Sequence, residues 1–287
     1  MEKDTTFLIS EKINRSLREK YNPDSSKLRR DQLKLLSMLD VIDGICREND
    51  IQYWLSSGTL LGCARHGGFI PWDDDMDIFM LRKDYRKIDK LLRKYDSPLY
   101  VFHTRHTDPD YVNLFGKFRE RNGRIHSSSP RYKFYKYAGI GLDIFPVEKT
   151  SYLAAKISGI TYNKVMQSTL FISNQVIRHL YTRALECLFA CFFFPLMRLL
   201  GLINLNNEFH LALGIGWPEQ TVLLKHTFPL KNALFEGKPF PVPNNIDEYL
   251  TSFYGDWKKL PSEERIMNSI HCQEYKEEIE KNEQVRA

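Results

Sequence analysis

IQYWLSSGTLLGCARHGGFIPWDDDMDIFMLRKDY, residues 51–85, is the stretch whose reading decides the fold. Alternation of Ile51, Tyr53 and Leu55 with Gln52, Trp54 and Ser56 predicts a strand. A tight Ser57-Gly58-Thr59 turn then feeds a short helix, Leu60–His66, whose free backbone N–H groups face any ligand above the turn. Gly67-Gly68 breaks that helix, Pro71 fixes the approach, and Met76–Leu81 reads as the next strand. Before it runs Asp73-Asp74-Asp75-Met76-Asp77. Neighbouring anions repel, and such a cluster is tolerable chiefly when a cation sits among them, so a divalent metal is expected here. Alternate side chains on a strand share a face, which puts Asp75 and Asp77 together and points Asp74 away; Asp73 takes a supporting or helix-capping role.

Upstream, Leu35, Met38, Leu39, Ile42, Ile45 and Cys46 recur at helical spacing and give Leu28–Asn49 one core face. Downstream, Lys83–Tyr95 reads as a charged helix and Val112–Arg119 as a strand with Lys117 and Arg119 on one face. Asn122-Gly123 is a hairpin-type turn, followed by a basic, aromatic segment around 131–137. Gly139–Pro146 is an apolar strand carrying one acid, Asp143. A lone carboxylate between Leu142 and Ile144 is costly to bury without a cationic or hydrogen-bonding partner, so Asp143 is the candidate third metal ligand.

Residues 151–206 read as mostly helical and increasingly apolar, peaking at Leu188–Met197. The uninterrupted run is about half the roughly 20 residues a spanning helix needs, and Glu186, Pro195 and Arg198 interrupt it, so no transmembrane span is expected. A core helix and a helix resting on a membrane face both remain open, with 184–205 the segment in question. In the tail, Asn245 with Glu248 gives a capping-box start to a helix ending at Gly255, and the last ~20 residues are expected to fray. The expected fold is α+β with an α/β-like core: a mixed sheet with flanking helices. Residues 1–150 form an N-terminal helix and catalytic core, 151–215 a helical apolar insertion on the acceptor or membrane side, and 216–287 complete the catalytic domain.

The 287 residues, 43% hydrophobic, suffice for one sizeable core, and the net charge of +5 suits phosphates or an anionic surface. Five scattered cysteines without a CxxC pair suggest reduced thiols, and no signal-peptide pattern opens the chain, so a cytoplasmic protein is expected. The histidines lack metal-ligand spacing outside the loop pair His103/His106, and structural or surface roles are expected for them, His126 and His271 included. Gly-x-Ser-x-Gly, Walker and Gly-x-Gly-x-x-Gly patterns are missing, which argues against hydrolase, P-loop and dinucleotide chemistry.

A glycine-cornered helix start, a same-face acid pair and a third acid on a later strand match the needs of phosphoryl or nucleotidyl transfer. Metals held by carboxylates polarise the donor phosphate, and backbone amides at the turn cradle its oxygens. SSGTLLGCARHGGFIPWDDDMDIFMLRKDY also resembles the motif of the LicD family, GTLLGxxRHxGFIPWDDDxDIxMxRxDY. That family lies in the nucleotidyltransferase superfamily and includes choline-phosphate transferases acting on bacterial surface glycans, with fukutin and fukutin-related protein as distant relatives. The likeness extends to the preceding helix, to GIGLDIFP and to FEG, VP, YGDW and LP in the tail.

The resemblance implies a nucleotidyltransferase-type fold and a Mg2+- or Mn2+-dependent transferase. It would carry phosphocholine from CDP-choline to a sugar hydroxyl of a surface glycan such as lipopolysaccharide, lipooligosaccharide, teichoic acid or a capsule precursor. Asp75, Asp77 and Asp143 correspond to the metal-binding, catalytic acids, with Asp143 also the base toward the acceptor hydroxyl. Gly58 and Thr59 correspond to the phosphate-side turn. Arg65, Lys117 and Arg119 are candidates for the donor pyrophosphate. Trp72, beside the acids, is the first aromatic to consider for a choline headgroup. Partners are then a CDP-alcohol, a glycan or lipid-linked glycan and, in the membrane-face reading, the inner face of a membrane; nucleic acid is not expected. Ribitol, glycerol or ethanolamine phosphate as the transferred group, and a nucleic-acid nucleotidyltransferase, are the alternatives.

Overall fold

A computed structural model describes residues 7–125, 129–202, 208–270 and 272–286. His126, His271 and residues 203–207 of the insertion lie outside them. The chain opens with helices α1 (Glu11–Tyr21) and α2 (Lys27–Glu48), then β1 (Trp54–Leu55), α3 (Ser57–His66), β2 (Asp77–Leu81), α4 (Arg82–Leu92), β3 (Tyr100–His103), β4 (Gly116–Glu120) and β5 (Gly141–Lys149). The insertion supplies α5 (Tyr152–Gln167), α6 (Gln175–Leu188) and α7 (Phe194–Gly201). After it come β6 (Phe209–Leu211), α8 (Leu224–Thr227), the hairpin β7 (Lys231–Phe235) and β8 (Lys238–Val242), and helices α9 (Ile246–Tyr254), α10 (Glu263–Ser269) and α11 (Gln273–Arg286).

The main sheet is mixed, in the order β1-β2-β5-β4-β3, with β6 also on β5. β5 is its axis: β2 runs parallel along one side, while antiparallel β4 pairs with Gly141–Ile144 and antiparallel β6 with Val147–Lys149. α2 buries Leu35, Met38, Leu39 and Ile42 completely, as its spacing requires. The expected α+β class is what the chain adopts.

Several boundaries differ from the sequence reading. β1 has two residues rather than six, because Asp50 turns at φ 49 and the Ile51 N–H closes the preceding helix on Cys46 O at 2.9 Å. Pairing starts only where β2 lies opposite, at Trp54 and Leu55. β4 begins at Gly116 instead of Val112; a Cβ on Gly116 would sit 2.3 Å from the Phe102 ring, and Val112 instead accepts the Tyr162 hydroxyl at 2.6 Å. The last residues, expected to fray, form α11, with Tyr275 and Ile279 buried and the Tyr275 hydroxyl on Asp31 at 2.8 Å.

The insertion has a small core of its own around Tyr162, Met166, Phe189, Phe194 and Met197. Pro195 does not end its apolar helix. A π-helical turn, Phe189–Phe193, widens the backbone just before the proline, absorbing the missing N–H and the ring clash, and the helix runs from Gln175 to Gly201. Those 27 residues are long and apolar enough to cross a membrane by length and composition, which the run read from sequence was not.

Candidate active site

β2 and β5 bring the acids together. In their parallel register Asp77 stands opposite Asp143, and the Asp143 N–H donates to Met76 O at 2.8 Å. The Asp77 N–H donates to Thr59 Oγ1 at 2.8 Å, which locks the first turn of α3 onto the start of β2. The corner itself falls on Ser57, at φ 48, so Gly58 is required for space rather than for backbone freedom. A Cβ on Gly58 would lie 2.7 Å from Asp73 Oδ2.

Asp73, Asp74 and Asp75 each offer a carboxylate oxygen within 4.8 Å of the others. Asp75 precedes β2 in an irregular segment, so the loop, not strand alternation, directs it toward this group. Asp74 is not turned away: its Oδ2 accepts the Cys272 N–H at 2.8 Å, from the far end of the chain. Burial, and then Asp75, Asp74 and Asp77, push the Asp73 carboxyl well above the usual range. Burial, Asp75 and Asp143 do the same to Asp77, against the opposing effect of Lys117 and a hydrogen bond from Ser57. Asp143 is raised by burial, with Lys117 and Arg119 offsetting part of it.

Lys117 stands opposite Asp143 on β4 and meets its carboxylate at 2.5 and 2.6 Å. It is the buried acid's cationic partner. Arg119, fully buried, donates to Gly139 O and to the Tyr132 hydroxyl, each at 3.0 Å. A cavity of about 280 Å³ lies against these groups, with Asp74, Asp75, Lys117, Arg119 and Tyr132 in its wall. Arg65 and Trp72 do not line this cavity. Arg65 is buried, donating to Trp257 O at 2.9 Å, Lys259 O at 3.3 Å and His66 Nε2 at 3.0 Å, which ties α3 to the YGDWKKLP segment. Trp72 is a core residue, edge-on to Tyr21 and His66.

Sequence reasoning missed Ser57, the corner that also donates to Asp77, and the Cys272 amide on Asp74. No local signal marks an amide two hundred residues away. Tyr254 was one aromatic among many; here its phenol pKa is raised by burial and then by Asp77, Asp73 and Asp75, so the acids act on it. Crowded carboxylates, raised toward protonation by one another, form a hard all-oxygen donor set. Such a set fits Mg2+ or Mn2+, with Asp73, Asp74 and Asp75 the carboxylates close enough to share one; Asp77 and Asp143, expected from sequence as ligands beside Asp75, pair across the strands but fall outside that group.

The fold and site define a nucleotidyltransferase-type domain. Residues 50–190 match the LicD/FKTN/FKRP nucleotidyltransferase domain, so the chain is similar to the LicD family over about half its length. It is 28% identical over 261 residues to the lipopolysaccharide cholinephosphotransferase LicD of Haemophilus influenzae, covering 83% of this chain and 93% of that one. An uncharacterized protein of Rickettsia prowazekii is 26% identical over 137 residues, covering 44% of this chain and half of the other. The ribitol 5-phosphate transferase FKRP of Mus musculus is 42% identical over 48 residues, only 17% of this chain and 10% of that protein.

Proposed function

We propose that this LicD-like phosphotransferase moves phosphocholine from CDP-choline to a sugar hydroxyl of a cell-surface glycan such as lipopolysaccharide, with a divalent cation at the acid cluster. The observation that carries this reading is the pairing of Asp77 with Asp143 across adjacent strands, beside the acid run and the first turn of α3. The likeness to the Haemophilus influenzae lipopolysaccharide cholinephosphotransferase along most of both chains supports the choice of transferred group and acceptor.

When bound, the cation neutralises the donor phosphates and polarises the phosphorus under attack. Asp75, Asp77 and Asp143, with Asp73 beside them, would hold it. Asp143, whose carboxylate meets Lys117, takes the proton of the acceptor hydroxyl as that oxygen bonds to phosphorus. The bond from the same phosphorus to CMP breaks, and CMP leaves with the electron pair. Gly58 and Thr59 set the α3 amides toward the phosphate oxygens, and the Lys117–Arg119 side of the 280 Å³ cavity carries the positive charge for the pyrophosphate.

Incubating the protein with CDP-choline, Mg2+ and a glycan acceptor should release CMP and add the mass of one phosphocholine to the glycan. No CMP from any CDP-alcohol would refute the reading. The short match to a ribitol 5-phosphate transferase favours a second reading, in which ribitol phosphate is transferred by the same groups. Competition between CDP-choline and CDP-ribitol in one reaction separates the two.

A further inference from the structure

A second cavity, of about 320 Å³, shares no lining residue with the one beside the acids. Arg82, Arg86, Arg93, Arg105 and Arg198 line it, and Asp89 is the acid in its wall. Arg93 lies on Asp89 at 2.5 Å, Arg82 on Glu148 at 2.7 Å and Arg105 on Glu186 at 3.8 Å. Arg198 shares the Glu148 carboxylate at 3.5 Å, and Arg86 makes no ion pair among the described residues. Five guanidiniums therefore face three carboxylates. The crowding shows at Arg82, whose pKa is lowered by burial and, against the effect of Glu148, by Arg198 and Arg86. Guanidiniums left in excess around a cavity are a receptor for a phosphate group.

Ala190 and Phe194, from the middle of the continuous helix Gln175–Gly201, complete the wall. On that helix Ile177, Leu180, Leu188, Phe192, Leu196 and Leu199 follow one another at helical intervals, and each is more than half exposed. An apolar stripe of that length, uncovered by the rest of the chain, marks an interaction surface. Residues 151–202 contain five Lys and Arg and a single acid, Glu186, which is buried. A stripe of apolar side chains on a segment of net positive charge is complementary to a bilayer carrying anionic headgroups.

The helix is long enough to cross a bilayer, but its other side is held on the protein. Arg178 pairs with Asp110 at 2.6 Å, and Phe189 packs on Tyr162 with ring centroids 5.0 Å apart. Surrounding the helix with lipid would strip those partners, so a position along the surface keeps the fold intact. We propose that the helix Gln175–Gly201 lies along an anionic phospholipid membrane, its apolar stripe in the headgroup boundary, with a lipid phosphate held in the Arg86/Arg105 cavity.

Flotation of the full chain with vesicles tests this, using phosphatidylcholine alone and an equal mixture of phosphatidylcholine and phosphatidylglycerol. Binding is expected to the mixed vesicles and to be at least tenfold weaker on phosphatidylcholine. At about 1 kcal/mol for each basic group near such a surface, the double variant Arg86→Ala/Arg105→Ala should bind roughly thirtyfold more weakly. Phe192→Ser/Leu199→Ser should also lose binding, and thermal melting of both variants checks that they fold. Equal binding to the two vesicle types, or unweakened binding by a folded arginine variant, would overturn the proposal. So would binding of inorganic pyrophosphate in solution, read by calorimetry, by a protein that ignores both vesicles.

Discussion

Asp77 stands half-buried at the strand start, its carboxyl raised by burial and then by Asp75 and Asp143, and relieved in part by Lys117 and Ser57. Replacing one of several repelling carboxylates should therefore help the fold while ending the chemistry. Asp77→Asn is expected to melt at a higher temperature than the unsubstituted chain in chelator, by about 1–2 kcal/mol of stability, and to lose at least 10²-fold in CMP release. His66 acts in the opposite sense. Burial, Arg65 and Arg18 hold its pKa down to about 3, so folding favours the neutral ring. A group depressed in this way contributes fully above its unfolded pKa of about 6.5, and the contribution is lost as pH falls toward about 3. Denaturant unfolding at about pH 5 should show some 2 kcal/mol less stability than at neutral pH from this residue, and His66→Gln should flatten that slope. His103, buried against Asp108 and lowered to about 4, leaves part of the slope in place.

Two glycines of α3 separate chemistry from folding. At Gly58 an added Cβ meets the Asp73 carboxylate, the end of a side chain; at Gly62 it meets Gly68 O at 2.4 Å and Ile70 N at 3.0 Å, both backbone. Gly58→Ala is expected to lower turnover about tenfold or more with little change in melting, by displacing Asp73. Gly62→Ala should cost about 1–3 kcal/mol of stability, read by thermal unfolding. The elements themselves were legible in proportion to their length and regularity. α2 was evident because 22 residues of one periodicity leave a single face to bury. β1 was overextended because apolar alternation at Ile51 and Tyr53 looks the same whether those residues pair or only pack. The helix through Pro195 was cut short because proline is a breaker in an α-helix, and the π turn that accommodates it has no sequence signal of its own. At the site, the acids were legible from their density, and Asp143 from the cost of burying it. The pairing of Lys117 with Asp143 was not legible, because cross-strand register cannot be read from either strand alone.

Across the whole molecule, the two ends of the chain meet behind the acids. The Cys272 amide holds Asp74, Glu278 accepts the Lys27 N–H at 2.9 Å, and Tyr275 is buried with its hydroxyl on Asp31. Tyr275→Ala removes a buried ring and leaves Asp31 without that donor, for an expected loss of about 3–4 kcal/mol in denaturant unfolding; Tyr275→Phe should cost about 1–2 kcal/mol. Calorimetric titration of the metal-free protein with Mn2+ tests most directly whether acids from two strands form one cation site. Saturable binding in the unsubstituted chain, weakened at least tenfold by Asp77→Ala and likewise by Asp143→Ala, is the result the proposed cation site predicts. Binding of equal strength in all three proteins would contradict it.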